Sequence, residues 1–124
     1  MSPLAWAGFV LAGALGAPAR YLVDDAIASR TRGVFPWGTL VINVSGSFLL
    51  GLLTGLVLFH SFPATLKVIA GTGFCGAYTT FSTFTYETIR LVEEGAVNEA
   101  VRNALASLVL AAAAAAAGLA LAGL

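Results

Sequence analysis

Four charge-free stretches divide the chain, residues 1–19, 33–66, 68–86 and 103–124, and the polar positions inside them are few and periodic. A bilayer core about 30 Å thick takes about 20 apolar residues as one helix, so each stretch holds one span and none comfortably holds two. The pattern predicts helices over 4–28, 37–60, 66–92 and 98–123. In the first, Ala5, Gly8, Ala12 and Gly16 recur at helical spacing, a small-residue stripe that lets another helix approach closely. In the second, Thr39, Asn43 and Ser47 stand at successive i,i+4 positions, continued by Gly51 and Gly55 as a GxxxG. The fourth opens with Asn103 and Ser107 one turn apart, and its alanine run over 111–117 reads as a close-packing surface.

The third stretch departs from this plan. Residues 71–87, GTGFCGAYTTFSTFTYE, carry three glycines and eight hydroxyl side chains without one charge before Glu87. Gly71, Gly73 and Gly76 weaken helix propagation, so a break is expected near 73–79, freeing backbone carbonyls that membrane depth tolerates only against protein, an ion or water. Phe81 and Phe84 are i,i+3 and share a face, either as core packing or with their positive ring edges turned to an anion. Asn43 needs hydrogen-bond partners in hydrocarbon, and its amide serves either as interhelical glue or as a donor to a ligand.

Composition agrees with a membrane protein that is helical throughout. Of 124 residues, 59% are hydrophobic and 10% charged, and the mean hydropathy is +0.93. The four predicted helices leave no residues for a soluble domain, so 1–124 reads as a single transmembrane domain. A chain this small hardly encloses a pathway alone, and an oligomer is expected. Zero net charge and a pI near 6.5 argue against nucleic acid as a partner. The single cysteine, Cys75, allows no intrachain disulfide, and no Cys/His cluster suggests a transition-metal site. The first apolar run lacks a basic leader and precedes three more spans, which marks it as a retained helix rather than a cleaved signal. His60, beside Ser61 and Pro63, reads as a solvated loop histidine.

The charges near the span ends have two readings each. Arg20 either snorkels or pairs with Asp24 or Asp25, or else it is a fixed positive charge at the mouth of an anion path. Glu87, one turn after Thr83, is structural, paired with Arg90, or at a vestibule. Four spans put Arg20, Arg30, Arg32, Arg90 and Arg102 on one side against Lys67, so a literal positive-inside count favours both termini outside.

The segment GFCGAYTTFSTFTYE (73–87) resembles the third-helix signature of the Fluc/CrcB fluoride channels, a pattern close to GxxGGxTTFSTF. GALGAPARYL (13–22) and WGTLVINVSGSFLLG (37–51) resemble the first two helices of that family, with Asn43 to Gly46 as an N-x-x-G. Ala77 and Tyr78 depart from the pattern. The resemblance implies an antiparallel, dual-topology homodimer in the cell (inner) membrane, with two fluoride pores at its interface and a passive, resistance-conferring export of fluoride. It implies that Phe81 and Phe84 line the pores, that Asn43 donates to the ion and that Arg20 stands near the vestibule. It further implies that the carbonyls of Gly76 and Thr79 hold a structural sodium ion, and that Thr39, Ser82, Thr83 and Ser107 form a polar track. Dual topology requires a small charge bias, which is met if Arg20 and Arg102 lie within the membrane and Arg90 pairs with a glutamate, leaving Arg30 and Arg32 against Lys67.

Two other classes match the size. A small four-helix, proton-coupled multidrug-type transporter needs a carboxylate deep in its first helix, and residues 1–19 contain none. A purely structural membrane protein accounts for the alanines and glycines but not for the TTFSTF stretch. An enzyme is the weakest reading, since His60 has no evident partners.

Overall fold

The computed structural model describes residues 1–124 and is all-helical. Helix α1 (Pro3–Ala28) starts where Ser2 Oγ accepts the Ala5 N–H at 3.1 Å and a proline occupies the first turn, each relieving an N–H that the helix start leaves without a partner. Helix α2 (Trp37–His60) stops at Ser61, which takes a left-handed φ of 54°. A short α3 (Ala64–Lys67) runs without interruption into a π-helical segment (Val68–Cys75) and a last turn, α4 (Gly76–Tyr78). The chain then leaves helical geometry, returns as α5 (Ser82–Glu93), turns at Gly95 and finishes as α6 (Val97–Ala122).

Helices α1, α2 and α6 are long and apolar enough to cross a membrane. The third hydrophobic stretch is not: its pieces are short and bent, so no single helix over 66–92 spans a bilayer. Nor does helical structure fail over 73–79 as the glycines suggest. It persists to Tyr78 and departs only at Thr79–Phe81. The reason is that Gly71 and Gly73 serve contact rather than flexibility: a Cβ at Gly73 would lie 3.0 Å from the Phe9 carbonyl oxygen, and one at Gly71 would lie 2.9 Å from Leu50 Cδ1. The widened π geometry, common at functional sites, carries both glycines through the crowded region.

Two close pairings organise the molecule. Helix α1 lies along the π segment and α4, and α2 lies along α6. At Gly16 the α1 backbone comes so near that a Cβ would stand 2.5 Å from the Phe74 carbonyl oxygen and 2.9 Å from Ala77 Cβ. At Gly51 a Cβ would collide with the Ala115 carbonyl oxygen, and at Gly118 with that of Phe48. Of the α2 GxxxG, Gly51 packs on Ala115 within the alanine run of α6, and Gly55 meets Leu119 and Ala122 beyond it. Only 19 of 124 residues are buried, which leaves most apolar side chains facing outward, as a lipid-embedded chain requires.

His60 is exposed, but it lies on α2 rather than in a loop. It ends α2, and its Nε2 lies 2.6 Å from the Ala122 carbonyl oxygen at the end of α6, one of the carbonyls that a helix terminus leaves unpaired. We expect His60→Ala to lower the melting temperature of the purified protein without changing its helix content, the lost bond being worth about 0.5–1.5 kcal/mol. An unchanged melting curve would show that the contact contributes nothing.

Candidate functional site

Asn43 and Thr80 create the interruption together. From the middle of α2, Asn43 Nδ2 donates to the Thr80 carbonyl at 2.8 Å, and Asn43 Oδ1 accepts the Thr80 N–H at 2.8 Å. Thr80 is buried, and its Oγ1 accepts the Thr83 N–H at 3.1 Å, capping the start of α5. In an unbroken helix the N–H groups of residues 80 and 83 would return to the carbonyls of residues 76 and 79. Both are diverted to side chains, so the carbonyls of Gly76 and Thr79 lose their helical donors. Thr79 itself is extended, with ψ 160°, and its hydroxyl is spent on the Cys75 carbonyl at 2.8 Å. The bend fits against α2 because residue 46 is glycine: a Cβ there would collide with Thr79 Cγ2.

The bend faces a groove of about 500 Å³ bordered by Asn43, Gly76, Thr79, Phe81, Phe84 and Ser107, among others. The two phenylalanine rings stand 6.0 Å apart at 43°. Phe81 is 78% exposed, so within one protomer it is not core packing. Gly76 is exposed, and nothing lies within 4 Å of a Cβ built on it.

A second recess of about 270 Å³ opens on the other side of the bend, where Arg20, Asp24, Thr39, Thr80 and Thr83 meet. Thr80 thus borders both. Arg20 forms no ion pair with Asp24 or Asp25, because the ion pairs of the molecule are Arg90–Glu94 and Arg102–Glu99. Arg90 consequently does not pair with Glu87, whose carboxylate instead accepts the Thr39 hydroxyl at 2.5 Å. Ser82 is exposed, borders neither recess and lies 3.3 Å from Thr80 Oγ1.

The residues singled out from sequence therefore form two groups. Asn43, Gly76, Thr79, Phe81, Phe84 and Ser107 share the larger groove; Arg20, Thr39 and Thr83 share the smaller, with Glu87 joined through Thr39. Sequence reasoning passed over Thr80 and Tyr78. Thr80 is legible as a cap, since a threonine precedes an apolar-periodic helix by one turn. Tyr78, stacked on Phe74 at 5.6 Å with its hydroxyl 3.0 Å from Ser45 Oγ, gave no signal beyond its departure from the family pattern. The chemistry available is that of amide and hydroxyl donors, ring edges and released carbonyls. Such a site can replace the hydration of a small ion and lacks any evident covalent chemistry.

Comparison with known proteins bears on this arrangement. Residues 7–119 match the family model described as CrcB-like protein, Camphor Resistance (CrcB). The chain is 50% identical over 110 residues to the fluoride-specific ion channel FluC 1 of Streptomyces avermitilis, covering 88% of this chain and 89% of that one. It is 46% identical over 124 residues to FluC 1 of Leifsonia xyli, covering 100% and 90%, and 46% identical over 113 residues to FluC 2 of Mycobacterium bovis, covering 91% and 86%. With three long apolar helices, it is a multi-pass membrane protein. Likeness over nearly its full length, in a chain whose bend carries the TTFSTF segment at residues 79–84, makes this protein a member of the CrcB family.

Proposed function

We propose that the protein is a fluoride-selective channel subunit, through which fluoride leaves the cytoplasm passively and the cell gains fluoride resistance. The observation that carries this reading is the Asn43–Thr80 clamp at the head of a groove bordered by Phe81 and Phe84, in a chain whose relatives are named fluoride-specific channels. Fluoride is small and strongly hydrated, so a pore must offer donors strong enough to strip water yet loose enough to release the ion. One N–H of the Asn43 amide is held by Thr80, which leaves the other for the ion. The Phe81 and Phe84 edges add weak positive potential at low affinity; the Ser107 hydroxyl lies in the same groove, Thr39 and Thr83 border the recess that holds Arg20, and Ser82 stands beside Thr80.

The functional unit we propose is an antiparallel pair of chains with one pore on each side of the pair. A lone protomer leaves Phe81 and Gly76 uncovered, on a face that a second copy would close. A structural sodium ion fits the donor set at the bend: the carbonyls of Gly76 and Thr79 are hard oxygen acceptors released from the helix, and a second copy doubles them. Bound there, sodium would supply a fixed positive charge at membrane depth. The chain's own part is to hold those carbonyls in place through Asn43 and Thr80.

Efflux from liposomes loaded with fluoride or chloride, followed by ion-selective electrodes, tests the reading. Rapid fluoride loss with little chloride loss is expected. No fluoride loss from folded, sodium-supplied protein would overturn it and turn attention to drug-coupled proton transport. Phe81→Ala gives a second check. Because the ring is mostly exposed, the protomer should stay folded while losing an edge contact of about 0.5–1.5 kcal/mol, so flux is expected to fall about two- to tenfold. Normal flux would remove Phe81 from the pathway.

A further inference from the structure

Behind the larger groove runs a chain of hydrogen bonds in which each donor can be assigned. Asn103, on α6, is fully buried. Its Nδ2 donates to Thr88 Oγ1 at 2.9 Å, and Thr88 Oγ1 donates to the Phe84 carbonyl at 2.8 Å. On the groove side, Ser107 Oγ donates to Asn103 Oδ1 at 3.4 Å. Ser107 and Phe84 border the groove; Asn103 and Thr88 do not.

The polarity follows from what each group can do. A carbonyl only accepts, so Thr88 spends its single proton on Phe84. Its oxygen must then accept from Asn103, which turns the amide nitrogen toward Thr88 and the amide oxygen toward Ser107. Ser107 is left as the donor to Asn103. The hydroxyl proton of Ser107 is thereby drawn away from the groove, where the serine presents lone pairs. An anion can only accept. To use Ser107 it must win that proton from Asn103, and the 3.4 Å bond is long enough to yield.

We propose that Asn103 is a positioning residue that acts through Ser107, with Thr88 setting the orientation of its amide, so that the relay withholds the Ser107 proton until an anion arrives. This rests on the channel reading above. The relay makes Ser107 a conditional donor and ties its state to the carbonyl of Phe84, so both walls of the groove answer to one buried amide. The occupant is a small, hard anion that competes for a single proton; fluoride, the strongest acceptor of its group, competes best.

The test uses the full-length protein in liposomes and the isosteric change Thr88→Val. Without the Thr88 hydroxyl the Asn103 amide is free to turn its nitrogen to Ser107, which then accepts and directs its proton into the groove. Fluoride efflux is expected to rise about two- to fivefold, the effect of removing one weak neutral hydrogen bond. Asn103→Leu, which deletes the side-chain acceptor, is expected to change efflux in the same direction. The deciding arm repeats each change in a Ser107→Ala background, where both effects should vanish. Thr88→Val borders no groove, so a merely structural role predicts no gain, or a loss that persists without Ser107; either result overturns the relay. If Asn103→Leu does not elute as folded protein, the Thr88→Val pair still decides. Absence of fluoride efflux from the unmodified protein would instead count against the channel reading, so the two failures are distinct.

Discussion

Fluoride efflux through Asn43→Ala is expected to fall at least about 30-fold, the largest loss of any single substitution in the groove. The amide serves both polar groups of the Thr80 backbone, at 2.8 Å each, in a place where Thr80 is buried. Removing it leaves a donor and an acceptor unpaired, at about 1–3 kcal/mol each, and every 1.4 kcal/mol or so is a factor of ten. The cheapest relief is for the Thr80 N–H to return to the Gly76 carbonyl, as in an unbroken helix. That shift would take one of the two released carbonyls out of the bend and move Phe81 away from the groove. The deficit is therefore structural at the site even if no ion touches Asn43.

Asn43→Asp tests whether an acceptor alone is enough. An aspartate keeps an acceptor for the Thr80 N–H but sets a negative oxygen against the Thr80 carbonyl and offers nothing to an anion. It should rescue neither flux nor selectivity. The measurement is electrode-monitored efflux, with gel filtration confirming that each variant elutes as the unmodified protein does. Near-normal efflux through folded Asn43→Ala would detach this residue from the pathway and show that the bend is held by Thr80 and Thr83 alone.

How far the sequence reveals this site depends on whether a signal is local. Asn43 stands out because an amide in an apolar helix must find partners, but its partner lies 37 residues away and depends on how α2 crosses the bend. The glycines of the third stretch point to an interruption in the correct region for a reason that does not hold. Gly71 and Gly73 are there for closeness, and competition from the side chains of Asn43 and Thr80 ends the helix at Tyr78. Composition alone cannot distinguish a glycine that frees the backbone from one that admits a neighbour. The small-residue stripe on α1 is legible without that ambiguity, since its spacing identifies one face, and Gly16 does meet Phe74 across it. The partners of Glu87 and His60 were illegible for the same reason as that of Asn43: Thr39 and Ala122 are distant in sequence, and several nearer groups were chemically just as suitable.

The substitution with the largest expected effect on stability lies away from the groove, at Gly51. Helices α2 and α6 have no strongly polar seam there. In a membrane they hold together by backbone approach rather than by the expulsion of water. The nearest obstacles to a Cβ at Gly51 are all backbone atoms of Ala115, two of them at 2.9 Å and its carbonyl oxygen nearer still, and no rotamer change can move them. Gly118 meets α2 in the same way from the facing helix. Gly51→Leu must therefore push α6 off α2 along the packed length. Overpacking typically costs about 1–3 kcal/mol where side chains can adjust, and more is expected where only backbone can yield. Because α6 also carries Asn103 and Ser107, the displacement should open the groove as well as weaken the fold. The expected result is little folded protein in detergent and a melting temperature lowered beyond that of His60→Ala. Gly13→Ala is the control, since its Cβ would rest 3.7 Å from the Gly73 carbonyl oxygen in ordinary contact. Equal stability of Gly51→Leu and Gly13→Ala would mean that the α2–α6 seam is loose in the membrane, and that the close approach of these two helices is not what holds the groove in shape.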